Sequence, residues 1–169
     1  MRHEFTRPER FVAGTVGVPG ERAFYLQIRT SVRLFSVAVE KAQVQAITAR
    51  LDVMIAEVRK ANPLLTIEKS PTDDAPLDSP VAAEFQIGAM SLAWDEERKL
   101  ISLELYELED DEEDSEGEVV EVNITIGTAA AFSARSKAVV NAGRLPCPFC
   151  GIPIDPRGHL CPRANGYRR

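Results

Sequence analysis

The sequence predicts an α+β fold: an antiparallel or curled sheet of about six strands with two helices on one face, then a C-terminal zinc knuckle. Three observations carry this. Short strand-like runs recur six times, most with alternating apolar and polar residues. Two longer stretches switch to helical spacing. Every cysteine, and one of the two histidines, falls within residues 147–169.

The elements follow in chain order. Arg10 to Val16 is a strand ending at the turn signal Gly17-Val-Pro-Gly20. Ala23 to Thr30 places Phe24, Leu26 and Ile28 on one side, and Val32 to Val39 alternates again, so the two form a hairpin. At Glu40 the period changes. Val44, Ile47, Leu51, Met54, Ile55 and Val58 make one apolar helical stripe, which Asn62-Pro63 terminates because a residue before proline avoids the α region. Ser70 to Pro80, with three prolines and three aspartates, reads as an exposed connector. Glu84 to Trp94 resumes as a strand with Phe85, Ile87, Ala89 and Ser91 on one face. Asp95 to Arg98 is a polar turn. Leu100 to Leu108 and Val120 to Ile126 alternate on either side of an acidic run, Glu109 to Glu118. Thr128 is the expected N-cap of a second helix over Ala129 to Ala142, with Gly143 as its stop.

This order is βββα–βββα, a repeat of plan without matching residues. The expected body is 1–143, with halves 10–62 and 84–142 and a proline-rich link at 70–80. Residues 144–169 form the tail. Of the 169 residues 44% are apolar, enough for one domain with a substantial core. No apolar run nears the roughly 20 residues that span a bilayer. The charged N-terminus, Met1 to Pro8, has no secretory h-region. A reducing cytoplasm is therefore the expected location, where clustered cysteines point to metal or redox chemistry before disulfides.

Charge is unevenly spread. Residues 144–169 hold five arginines against one aspartate, a net of +4, which leaves −10 on the rest. An acidic body repels phosphate, so nucleic acid is disfavoured as a partner except through the tail.

The tail carries the clearest chemistry. Cys147 and Cys150 have the spacing at which one tight turn presents two sulfurs to one metal, and Gly151 suits such a turn. His159 and Cys161 fall on the same side of an extended segment. Pro153, Pro156 and Gly158 supply the reversal between the pairs. The result is Cys-x2-Cys-x8-His-x-Cys, a structural Zn2+ site of Cys147, Cys150, His159 and Cys161. Four protein ligands close the shell, whereas a catalytic zinc keeps a place for water. The bland alternative is three reduced, partly buried thiols. Cys-Pro-Phe-Cys also resembles the active-site tetrad of glutaredoxins, but Pro153 and Pro156 forbid the regular helix that activates the first cysteine there.

Other signals are weaker. Gly14-x-x-Gly17-x-x-Gly20 lacks the helix and Lys-Ser/Thr of a phosphate loop and reads as a hairpin turn. The acidic run reads as a solvated loop, with loose divalent-cation binding as the alternative. His3 reads as part of an exposed N-terminus, and Trp94 and Tyr106 as packing. Asn165 to Arg169 can dock on the body or capture an anion.

Phe11 to Gly17, Cys147-Pro-Phe-Cys150, and Gly158-His-Leu-Cys-Pro-Arg-Ala-Asn-Gly-Tyr-Arg-Arg169 together resemble an uncharacterised family of small actinobacterial proteins, a domain of unknown function. The resemblance implies a bacterial cytosolic protein and supports the tail as a unit. It supplies no catalytic residues. With no nucleophile–base pair or phosphate loop on the body, the expected function is that of a non-enzymatic, zinc-stabilised binding or regulatory protein with an unidentified protein partner. One alternative is an enzyme with a polar groove between the halves, using Arg29, Arg33, Glu104 or Tyr106. The other is a nucleic-acid binder acting through the basic tail.

Overall fold

A computed structural model of the chain describes residues 1–111, 116–143, 147–152, 154 and 161–163. Its strands are β1 (Arg2–Thr6), β2 (Arg10–Val16), β3 (Ala23–Arg29), β4 (Leu34–Val39), β5 (Ala83–Asp95), β6 (Leu100–Glu107) and β7 (Val119–Ile124). Helix α1 (Lys41–Ala61) follows β4, and α2 (Ile126–Asn141) follows β7. Among the described residues no helix is long and apolar enough to cross a membrane.

The fold is α+β, as expected, but the sheet is mixed and has seven strands in the order β1-β7-β6-β5-β4-β3-β2. Strands β2 to β7 therefore lie side by side in chain order. The β4–β5 and β1–β7 pairs are parallel and the others antiparallel. A purely antiparallel, six-stranded sheet fails for two reasons. Helix α1 and the link after it carry the chain back to the starting end of β4, which sets β5 parallel to it. The seventh strand is β1, whose single deeply buried residue, Phe5, gives almost no alternation to read.

The sheet must curl. Six inter-strand gaps of about 4.8 Å would hold the edges of a flat sheet roughly 29 Å apart. Edge strands β1 and β2 are joined only through Arg7, Pro8 and Glu9, which reach about 14 Å from Thr6 to Arg10. The interior shows the result: the Phe5 ring of β1 lies 5.4 Å from Phe35 of β4. His3 is thereby brought into the structure. Its ring packs 5.0 Å from Phe35 and bonds Glu118 at 2.6 Å, so it is not part of a loose N-terminus.

One feature of β5 makes the bend. Its start pairs with β4 and its end with β6, with a register shift between Ile87 and Met90. The shift reverses the face expected beyond Ile87: Met90, Leu92 and Trp94, rather than Ala89 and Ser91, pack against the core. Gly88 sits at the corner, where an added Cβ would lie 2.9 Å from the Leu108 Cα. The carbonyls of Ile87 and Gly88 accept from the Gln43 side chain at 3.1 and 3.0 Å. The Gln43 side-chain Oε1 also accepts from the Glu40 N–H, closing a capping box at the start of α1.

The predicted stripe of α1 is buried from Val44 to Val58, and Val44, Ile47 and Leu51 are almost fully enclosed. Each such side chain contributes about 1.5–3 kcal/mol. Helix α2 begins earlier than expected. Thr125, not Thr128, is the N-cap, and its hydroxyl accepts from the Thr128 N–H at 3.2 Å. Ile126, read as the end of a strand, is already helical. Phe132 of α2 stacks on Phe11 of β2 with centroids 4.5 Å apart, and one core runs through both halves.

The 70–80 link is no free connector. Leu77 presses on Gly14, and the Asp78 N–H and carbonyl both bond the Gln27 side chain. Arg10, only 7% exposed, donates to Asp73 at 2.6 and 3.0 Å and to Asp78 at 3.1 Å. Its remaining bonds go to the Ala75 and Pro76 carbonyls. Upstream, the Glu68 carbonyl approaches Gly127 so closely that a Cβ there would sit 1.9 Å from it. The link is a strap across the β2 edge and the start of α2.

Two outcomes follow from the strap. Arg10→Ala leaves Asp73 facing the protein without its main partner and is expected to cost about 3 kcal/mol in denaturant unfolding. Arg10 also holds the Asp73 carboxyl below its ordinary value of 3.8, so this contribution is complete above that pH and is lost as the pH falls through the lower folded value. Asp73→Asn is expected to flatten that acid limb in urea melts run at successive pH values. Separately, Gly127→Ala is expected to cost about 1–3 kcal/mol and to speed hydrogen exchange across 65–71.

Candidate metal centre

Residues Cys147 to Ile152 form a tight knuckle. The Cys147 N–H donates to the Ile152 carbonyl at 2.9 Å, and the Gly151 N–H donates back to the Cys147 carbonyl at 2.8 Å. Gly151 has φ of +75°, in the left-handed region that favours glycine. This turn brings Cys147 and Cys150 together. Cys161 joins them, with its Sγ 3.7 Å from that of Cys147. All three sulfurs lie within 4.8 Å of one another, and no disulfide joins them. Metal–sulfur bonds of about 2.3 Å at tetrahedral angles place sulfurs roughly 3.8 Å apart, so the cluster fits one metal ion.

The backbone prepares one sulfur for that role. N–H groups of Cys150 and Phe149 point at the Cys147 sulfur and push its pKa down to about 6. Cys147 therefore favours the thiolate, the form that binds metal. Cys150 behaves differently. The Ile152 N–H pulls its pKa down, but burial and the neighbouring Cys161 and Cys147 outweigh that and raise it. Arg163 donates to the Phe149 carbonyl at 3.1 Å, which places a cation beside the knuckle.

Of the four ligands expected from sequence, Cys147, Cys150 and Cys161 converge. His159 lies outside the described residues, as do Arg144, Arg157 and Asn165–Arg169. In the acidic run, 112–115 lie outside them too.

The residues considered for an enzyme's groove take separate partners. Arg29 pairs with Asp78 on the strap at 3.0 Å. Arg33 covers the Phe5 and Phe35 rings and bonds His3. On the outer face of the sheet, Glu104 accepts from Arg2, from Tyr106 at 2.6 Å and from Ser91 at 3.1 Å. Tyr106 and Arg2 hold the Glu104 carboxyl below the ordinary range. Sequence reasoning missed Arg10 and Arg135, both only 7% exposed, which line a cavity between β2, the strap and α2. Their one sequence signal is position: Arg10 begins a strand and Arg135 lies one residue before Ser136 on the buried helix face.

Metal analysis of the purified chain, never exposed to chelator, is expected to find about one divalent ion per molecule, and Cys161→Ser to retain less than about a tenth of that.

No curated protein and no solved structure matches the chain. Residues 3–161 match the model of a family described as "Protein of unknown function (DUF3090)". The match runs from β1 through the last cysteine, and the chain belongs to that family.

Proposed function

We propose that the chain is a non-enzymatic binding or regulatory protein whose C-terminal knuckle is folded by one structural Zn2+ and contacts another protein. The metal would be held by Cys147, Cys150 and Cys161, with His159 as fourth ligand. Three thiolates and an imidazole suit zinc, and a closed shell leaves no place for a reacting water. Binding energy of this kind folds a short segment that has little core of its own.

The observation that carries the reading is the apolar tip. Phe149 is 61% exposed and Ile152 50% exposed, either side of Cys150-Gly151, while Cys147 and Cys161 are turned inward. A knuckle whose sulfurs face in and whose large apolar side chains face out offers a compact contact surface. Aromatic and aliphatic anchors of this type carry a large share of the energy at protein interfaces. The arginines of the tail complement a partner with an acidic rim. A cytoplasmic location agrees with reduced cysteines.

The reading is tested by comparing proteins captured by the wild-type chain and by a Phe149→Ser, Ile152→Ser double variant with equal zinc content. Specific partners are expected to be lost with the variant. Unchanged capture overturns the role of the tip. Retention on DNA or RNA that weakens steeply with salt, and depends on Phe149, would instead favour the nucleic-acid alternative.

A further inference from the structure

A second site lies on the body, far from the cysteines in sequence. Pro8 to Val12, Ser70 to Ala75 and the first turns of α2 line an open cavity of about 470 Å3, large enough for a small ligand. One of its walls is the strap. Phe11 and Phe132, stacked face to face, give it an apolar floor together with Ala131 and Pro71.

The polar groups of the cavity are not balanced among themselves. Arg135 is 7% exposed, yet its short hydrogen bonds all go to neutral carbonyls: Ala13 at 2.8 Å, Asp73 at 2.7 Å and Ala75 at 2.7 Å. The nearest carboxylate oxygen, on Asp73, is 3.4 Å away and is already engaged by Arg10. Its Nη2 has no hydrogen-bond partner among the described residues. Burial accordingly holds the Arg135 pKa below its ordinary value, with Asp73 and Asp74 only partly offsetting the effect. Buried guanidinium groups are normally paired, and this one shares its carboxylate partner, Asp73 at 3.4 Å, with Arg10.

Two lining carboxylates, Glu9 and Asp74, are exposed and make no hydrogen bond or ion pair among the described residues, although Asp74 lies close enough to act on Arg135. The lining as a whole sets Arg10 and Arg135 against Glu9, Asp73 and Asp74, a formal charge of −1. A multiply charged anion such as phosphate would be repelled. A ligand carrying one carboxylate and one ammonium group satisfies both ends. We propose that this cavity binds a free amino acid with an apolar side chain, its carboxylate on Arg135, its ammonium group at Asp74 and Glu9, and its side chain over Phe11 and Phe132. Because the strap forms one wall, the bound ligand also ties the 70–75 segment to α2.

The test is an NMR titration of the full zinc-loaded chain, following the Arg135 side-chain Nε–H and the backbone amides of 70–75. The probes are L-leucine and the other apolar amino acids, with acetate, butylamine and inorganic phosphate as comparison arms. A saturable shift is expected with at least one apolar amino acid, at a dissociation constant of about 1 mM or tighter. Acetate and butylamine, each carrying half the recognition, are expected to bind at least about tenfold more weakly, and phosphate more weakly still. Ala131→Phe, which puts a bulky ring into the cavity one helical turn before Arg135, is expected to abolish the shift while leaving the melting temperature unlowered. Arg135→Lys keeps the charge but not the fork and is expected to weaken binding about tenfold. The proposal is overturned if no apolar amino acid saturates by about 10 mM, if phosphate binds as tightly, or if a folded Ala131→Phe chain binds like wild type.

Discussion

The body depends on a buried guanidinium held by a segment with no secondary structure of its own. Arg10 gives its donors to Asp73, Asp78 and two strap carbonyls. That network fixes the path from α1 to β5, and the path decides that β5 lies parallel to β4. A buried ion pair gains little net stability, because desolvating two charges cancels much of their attraction. What it does here is select one route. Any other course for residues 70–80 would leave Arg10 inside the protein without acceptors, at a cost of several kcal/mol. The apolar contacts of Leu77, Leu65 and Ile67 could tolerate slippage; a forked donor with five acceptor contacts could not.

Much of this fold is legible in the sequence where a side chain faces either core or water. Strands β3, β4, β6 and β7 and helix α1 come close to that, and their periods give them away within a residue or two, whereas β2, buried from Arg10 to Gly14, is marked by the turn that ends it. Legibility fails where an exposed segment is fastened to the protein through polar groups. The strap looks like a solvated loop because its aspartates and prolines are those of a loop, yet its partners are arginines drawn from elsewhere in the chain. Strand β1 hides for a related reason. Arg2, His3 and Glu4 are charged or polar, but Arg2 bridges Glu104 and Glu121 across three strands and His3 packs on Phe35. In β5 the alternation is real, but a single bulge at Gly88 inverts its phase, and no local pattern announces that Leu108 passes there.

The cysteine cluster is a clearer case, because metal-ligand spacing is a covalent constraint that the sequence writes out directly. The spacing of Cys147, Cys150 and Cys161 anticipates their convergence. It does not anticipate how the sulfurs differ. Cys147 receives two backbone N–H groups and Cys150 receives one beside two other sulfurs, so the same residue type is pushed in opposite directions three positions apart. The outward turn of Phe149 and Ile152 follows from the same hairpin: with both cysteines facing in, the residues next to them have no core to enter.

Arg135 extends the argument from stability to binding. The strap has one carboxylate where the two guanidinium groups meet, and Arg10 takes both of its oxygens. Arg135 keeps carbonyl dipoles and a longer contact, 3.4 Å, to the same carboxylate. If the only requirement were to anchor the strap, an apolar side chain packed against Phe11 would avoid the desolvation penalty. The arginine instead stands at the wall of an open cavity that also carries the exposed carboxylates Glu9 and Asp74. That combination is costly for a purely structural position and is the arrangement a site for a zwitterion requires. A ligand carboxylate gives Arg135 a counter-charge it need not share with Arg10, and the strap, already routed by Arg10, becomes the wall that senses it.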